Sequence, residues 1–248
     1  MTVLRRLAVA LGLLALWQAV VWLAATPPYI LPGPNLALLA LIEHRTLITE
    51  HAAITLLEIV LGMIIGTACG AASALALARF GTARAWLLPV LVVSQALPVF
   101  ALAPLLVLWL GYGLGSKVAM AVLIIYFPVT ATFYDGLRRT DTDWLNLATT
   151  MGASPLTILF RIRLPAALPA LASGMRVAAS VAPIGAIVGE WVGSSAGLGY
   201  LMLHANGRMQ IDLVFAALLV LAVIAVALYS TVDRGMRALM PWQSETVS

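Results

Sequence analysis

Six stretches of roughly twenty residues, each nearly free of charge, recur along this chain: 7–25, 52–78, 86–110, 118–134, 171–192 and 213–232. A helix rises about 1.5 Å per residue, so a run of this length matches a hydrocarbon core about 30 Å thick. Lipid offers no hydrogen bonds to the backbone, which leaves helices as the way such windows can cross it. The expected fold class is therefore an all-α membrane protein with six transmembrane helices in one domain over 1–248. Composition closes the alternatives. Only 10% of the 248 residues are charged and 62% are hydrophobic, against about 25% charged in a soluble chain. Disorder needs the opposite balance, and Cys69, the single cysteine, excludes a disulfide scaffold.

The few charges are unevenly placed. With the N-terminus inside, Arg5, Arg6, Arg79, Arg84, Arg138, Arg139, Arg161, Arg163, Arg176, Arg234 and Arg237 fall on the inner side, and only Arg45, Lys117 and Arg208 on the outer. That asymmetry predicts both termini in the cytoplasm. The first window has a basic start like a signal peptide, but its apolar run is longer than a signal core and carries Trp17, Gln18 and Trp22.

Within the windows, two features constrain packing. Gly62, Gly66, Gly70, Ala74 and Ala78 form a stripe at four-residue spacing, a surface on which a neighbouring backbone can approach closely. The third window contains Pro89, Pro98 and Pro104, whose freed carbonyls need a protein or water partner, so it is expected inside the bundle. Between the first two windows, Pro27, Pro28, Pro32 and Pro34 predict an extended connection, and 35–50 a short interfacial helix.

Several chemical motifs lack their context. Gly111 to Lys117 is glycine-rich, but Ser116 and Val118 stand where a P-loop needs Gly and Ser or Thr, so it reads as a tight outer turn. Gly193-Ser-Ser195-Ala-Gly197 matches a nucleophile elbow, yet a membrane window precedes it where that motif needs a strand, which leaves a hydrolase on Ser195 and His204 without support. His44, His51 and His204 show no metal-ligand spacing. Two carboxylates, Glu58 and Glu190, lie towards the outer ends of their windows, Glu58 sharing a helix face with His51 and Thr55. Either they stay hydrated at the interface, with Trp191 as an anchor, or Glu190 lines a polar solute route with Ser94 and Gln95. Pro98 and Tyr126 complete that candidate route, and Trp109 is a further ring on which an aromatic solute would stack.

The most informative segment is the inner loop 141–165. Trp144, Leu145, Leu147, Ala148 and Met151 recur at three and four residues, an amphipathic helix of about three turns. Asp141 and Asp143 are its candidate caps, Gly152 its end and Pro155 the start of another short helix. An apolar helix face outside the membrane needs a partner groove or its own bundle to cover it.

On these residues the chain resembles permease subunits of bacterial ATP-binding cassette importers. Gly152, Ile162, Leu164 and Pro165 stand at the spacing of the so-called EAA loop. Asn146, Leu147 and Ala148 occupy the Glu-Ala-Ala positions, so only the last matches and the acidic contact is replaced. The stretches 103–113 and 189–200 are similar to the nitrate, sulfonate and taurine branch. Thr55-Leu-Leu-Glu58, Ser94-Gln-Ala-Leu-Pro98 and Glu190-Trp-Val are most similar to members for thiamine-precursor pyrimidines or riboflavin.

The resemblance implies a type I importer permease fold with a cytoplasmic coupling helix, and a non-enzymatic subunit in the bacterial inner membrane surrounded by lipid. Asn146, Leu147, Ala148, Gly152, Ala153, Ser154, Ile162, Leu164 and Pro165 would meet the motor. The implied partners are two ATPase subunits, which hold the ATP and Mg, an extracytoplasmic solute-binding protein docking near 27–34, 111–117 and 193–208, and a second copy of this chain. No directly bound cofactor, metal or nucleic acid is expected. The alternatives are a sulfonate, taurine or nitrate permease, or an autonomous ion-coupled transporter, which would need ionisable residues at the membrane midplane.

Overall fold

Backbone groups that lipid cannot satisfy are satisfied here within helices. A computed structural model describes residues 3–94 and 97–242, and among them every regular element is helical. In chain order these are α1 (Val3–Ala24), α2 (Pro34–Glu43), α3 (Arg45–Arg79), α4 (Gly81–Ser94), α5 (Val99–Leu110), α6 (Leu114–Arg138), α7 (Thr142–Thr150) and α8 (Pro155–Ile158). A π-helical turn over Leu159–Arg163 follows, then α9 (Leu164–Gly193), α10 (Leu198–Gly207) and α11 (Ile211–Ala238). Four helical runs are long and apolar enough to cross a membrane: Arg45–Arg79, Leu114–Arg138, Pro155–Gly193 and Ile211–Ala238. A fifth span results if α4 and α5, which meet at 105°, are counted as one. Six straight spans are thus not what the described residues display.

The third window departs most from expectation. It is two helices, with Pro98 as the residue before α5, and it is not enclosed in this chain. Leu91, Ala103 and Val107 are buried, while Trp86, Val93, Phe100, Leu108 and Trp109 are exposed. The fifth window departs in the other direction. Helical structure begins at Pro155 rather than near residue 171, because the π-helical turn shifts the hydrogen-bond pattern before Pro165, which then falls in the first turn of α9 where a missing N–H costs little. The helix expected over 35–50 is α2 only as far as Glu43, with His44 as its C-cap, and residues 45–50 are instead the start of α3.

The chain divides into two units, and α3 and α11 contribute residues to both. In the unit of 56–194 and 224–248, the core is built on α6. Along α3, Gly62, Gly66 and Gly70 lie against Ala121, Ile125 and Val129 of α6, so each pair is one four-residue step beyond the last on both helices. A Cβ at Gly62 would stand 2.5 Å from the Ala121 Cβ, and one at Gly66 2.8 Å from Ile125. The stripe is thus a backbone-to-backbone seam between parallel helices. On its other side α6 meets α9 antiparallel through small residues, with Gly189 against Lys117, Gly185 against Ala121, Gly174 against Thr132 and Gly136 against Ala170.

In the unit of 1–55 and 195–223, the start of α10 is fastened to α3. The Gly197 N–H donates to Nδ1 of His51 (2.9 Å) and the Leu198 N–H to the Thr55 hydroxyl (2.8 Å). These are helix-terminal donors with no partner inside their own helix. Trp17 stacks on Phe215 at 5.4 Å.

Candidate functional site

The segment 141–165 folds as two capped helices. Asp141 accepts a hydrogen bond from the Asp143 N–H (2.9 Å) and starts α7, so Asp141 is the cap and Asp143 lies in the first turn. Gly152 ends the motif at φ +76°, a conformation that glycine adopts without strain, with the Ala153 N–H returning to the Ala148 carbonyl. The Ser154 hydroxyl then accepts from the Thr157 N–H (3.2 Å) and caps α8.

The amphipathic face divides in space. Ala148 is buried and Leu145 half-buried, holding α7 to its own unit. Trp144, Leu147 and Met151 are 57%, 62% and 78% exposed. They form one wall of a groove of about 550 Å³, whose other walls are Arg161, Ile162, Pro165, Ala166 and Trp242. Of the remaining candidates for contact with the motor, Asn146, Gly152 and Ser154 are exposed, and Ala153 and Leu164 half-buried. Trp242 carries no periodic signal and lies in a tail whose composition reads as polar.

A second cluster lies in the membrane-spanning part of the same unit. Glu58 of α3, Lys117 of α6 and Glu190 of α9 are all buried, at 0%, 6% and 1% exposure. Lys117 Nζ is 3.3 Å from Glu58 Oε1, and Glu58 also interacts with Glu190. Glu58 thus lies between the Lys117 ammonium group and the Glu190 carboxyl group, away from solvent. Glu58 and Glu190 are enclosed by this chain and not exposed at its surface. The fold also moves Lys117 from an outer turn into the first turns of α6, whose N-cap is Gly113. The available signal was that Lys117 is the single lysine in a chain with 14 basic residues.

The candidate solute-route residues are dispersed. Ser94 is exposed and its hydroxyl donates to the Leu91 carbonyl (2.7 Å). Tyr126 is half-buried and donates to the Ser73 hydroxyl (2.8 Å). Pro98 and Trp191 are exposed, and Gln95 lies outside the described residues. Ser195 sits between two helices, and His204 packs on Tyr200 with ring centroids 3.9 Å apart. No group of three or more His, Cys, Asp or Glu among the described residues is arranged to hold a metal.

Comparisons with known proteins agree with this architecture. A Haemophilus influenzae protein named "Probable ABC transporter permease protein" is 59% identical over 221 residues, covering 89% of this chain and 90% of that one. The formylaminopyrimidine transport permease protein ThiX of Halalkalibacterium halodurans is 35% identical, covering 88% of both chains. The riboflavin transport system permease protein RibX of Chloroflexus aurantiacus is also 35% identical, covering 94% of this chain and 87% of its own. Among solved structures, a chain of the inward-facing MetNI methionine ABC transporter aligns with a TM-score of 0.58 at 21% identity, over 75% of this chain and 91% of that one, a likeness of fold. Residues 58–244 match the family described as the binding-protein-dependent transport system inner membrane component. The chain belongs to that family and is a permease subunit of an ABC transporter, with the type I permease fold.

Proposed function

We infer that this permease imports a small heteroaromatic solute of the thiamine-precursor pyrimidine or riboflavin type. On this reading two copies form the solute pathway, and a separate ATPase drives it through α7. The carrying observation is the exposed apolar face of Trp144, Leu147 and Met151 beside Gly152. Such a face, outside the spans and capped at both ends, suits a rigid lever seated in a partner's groove. The substrate class rests on the ThiX and RibX relatives, whose names refer to aromatic heterocycles. The taurine permease of Escherichia coli is 28% identical and supports the sulfonate alternative. In this arrangement α1 is a further span: its 22 residues extend about 33 Å at the helical rise. Both termini are cytoplasmic, and an extracytoplasmic binding protein delivers the solute.

The test is ATP-driven uptake into proteoliposomes containing the permease, its ATPase and its binding protein, with labelled aminopyrimidine, riboflavin and taurine offered in competition. Pyrimidine or flavin uptake is expected, and uptake of taurine alone would overturn the substrate class. Gly152→Leu should uncouple uptake from hydrolysis while the protein remains in the membrane. A Cβ there meets nothing within 4 Å, so the change acts through the backbone at φ +76° and not through a clash. Unchanged uptake and ATPase stimulation in Gly152→Leu would refute the role of α7.

A further inference from the structure

Where α3 ends, two arginines line one recess with no carboxylate between them. Arg79 is the last residue of α3, and Arg163 closes the π-helical turn that leads into α9. With Ala78, Pro155, Ile158 and Leu159 they line a cavity of about 190 Å³, which has room for more than a single water. Its wall is anchored: Leu159 is buried in a core with Leu77 of α3, Phe133 of α6 and Ala167 of α9, and Ala78 packs against that core. The two arginines of the turn stand two residues apart and so serve different faces. Arg161 lines the groove beside α7, and Arg163 lines this recess.

The Arg163 side chain is half-buried, and its Nε–H is shut off from solvent with no acceptor. Such a donor has given up its hydrogen bond to water without gaining another. Among the described residues, neither Arg79 nor Arg163 forms an ion pair. Elsewhere the fold does supply a partner, since Asp233 accepts from Arg176 Nε (2.7 Å) and pairs with Arg237 (2.9 Å). Each guanidinium presents a planar fork of N–H donors that an oxyanion fits two at a time. A phosphate group is tetrahedral, so its oxygens point to more than one side and can meet both forks, whereas the two oxygens of a carboxylate lie in one plane.

We propose that Arg79 and Arg163 form a phosphate-binding site that ties the end of α3 to the turn leading into α9. The phosphate is either the head group of a phospholipid, which reaches the recess because the α3 span ends at Arg79, or an ion from solution. The site does not depend on which solute is imported.

In the experiment, the full-length permease, delipidated in detergent, is titrated with inorganic phosphate and separately with dioleoyl-phosphatidylglycerol. Sodium chloride at matched ionic strength is the control for the first, and dioleoylglycerol, the same chains without phosphate, for the second. Thermal melting reads stabilisation, and native mass spectrometry counts retained lipid. The parent is compared with Arg79→Gln, Arg163→Gln, Arg163→Lys and Arg84→Gln, the last an exposed arginine that does not line the recess. Loss of one charge-assisted fork predicts about tenfold weaker binding in Arg79→Gln and Arg163→Gln. Arg163→Lys, which keeps the charge without the fork, should fall between those variants and the parent. Arg84→Gln should stay within about twofold of the parent, because salt screens an exposed charge away from the site. Stabilisation by phosphatidylglycerol and not by inorganic phosphate supports the site with the head group as its source. Stabilisation by inorganic phosphate with no lipid retained supports it with the dissolved ion as its source, and stabilisation by both supports a site open to either. The proposal is overturned if neither phosphate compound stabilises the parent beyond its control, an outcome that no misfolded variant can obscure. It is also overturned if Arg79→Gln and Arg163→Gln bind as the parent does, or if Arg84→Gln weakens binding as much as they do.

Discussion

Replacing Lys117 with Met should expose how much of this fold depends on one buried charge. Lys117 Nζ lies 3.3 Å from Glu58 Oε1, with side chains 7% and 0% exposed. At that separation and an effective dielectric constant of about 20, Coulomb's law gives an attraction of about 5 kcal/mol. Removing one partner of a buried pair costs about 3–5 kcal/mol, because the charge left behind is uncompensated. Here a second carboxyl group, Glu190 at 1% exposure, interacts with the one left behind, and a proton shared between the two carboxyl groups limits the charge stranded, so the lower part of that range is expected. A loss of this size is a large share of the roughly 5–15 kcal/mol by which a domain is stable. Adding Glu58→Gln to Lys117→Met removes the orphaned charge and should recover about half of the loss. Chemical denaturation in detergent, followed by circular dichroism across the four members of the double-mutant cycle, measures both quantities. The reasoning is refuted if Lys117→Met lies within about 0.5 kcal/mol of the parent, or if the double variant is less stable than Lys117→Met alone.

Two further outcomes follow from local geometry. Gly62→Ala places a Cβ 2.5 Å from that of Ala121 and should cost about 1–3 kcal/mol by overpacking; Ala121→Gly in the same chain should restore much of it, as thermal melting in detergent would record. Asp141→Ala removes the acceptor for the Asp143 N–H and should cost α7 about 1 kcal/mol. Amide hydrogen exchange should quicken in the first turn of α7 while the α6 seam keeps its protection.

The legible features were those decided by neighbours along the chain. The cap at Asp141, the left-handed Gly152 and the start at Pro155 depend on hydrogen bonds spanning a few residues, and each stands where its residue type requires. The glycine stripe of α3 was visible because a helix repeats faithfully enough for small residues to align, although its partner on α6 was not. The spacing ends the inner loop at Pro165, whereas helical structure runs through it, because the π-helical turn over Leu159–Arg163 leaves no periodic signal. Pro98 is exposed within this chain, since proline chemistry says that carbonyls need partners, not which element supplies them.

By itself the sequence determined the solvent of this protein and the ends of its helices, because apolar length is matched to lipid thickness and capping is local chemistry. Only the tertiary structure decided that Glu58, Lys117 and Glu190 form one buried cluster, and that Trp242 lines the groove beside α7. The reason is physical. The cluster draws on three helices and the groove on segments about a hundred residues apart in sequence, and the burial that gives these charges and rings their energy exists only once the helices have packed.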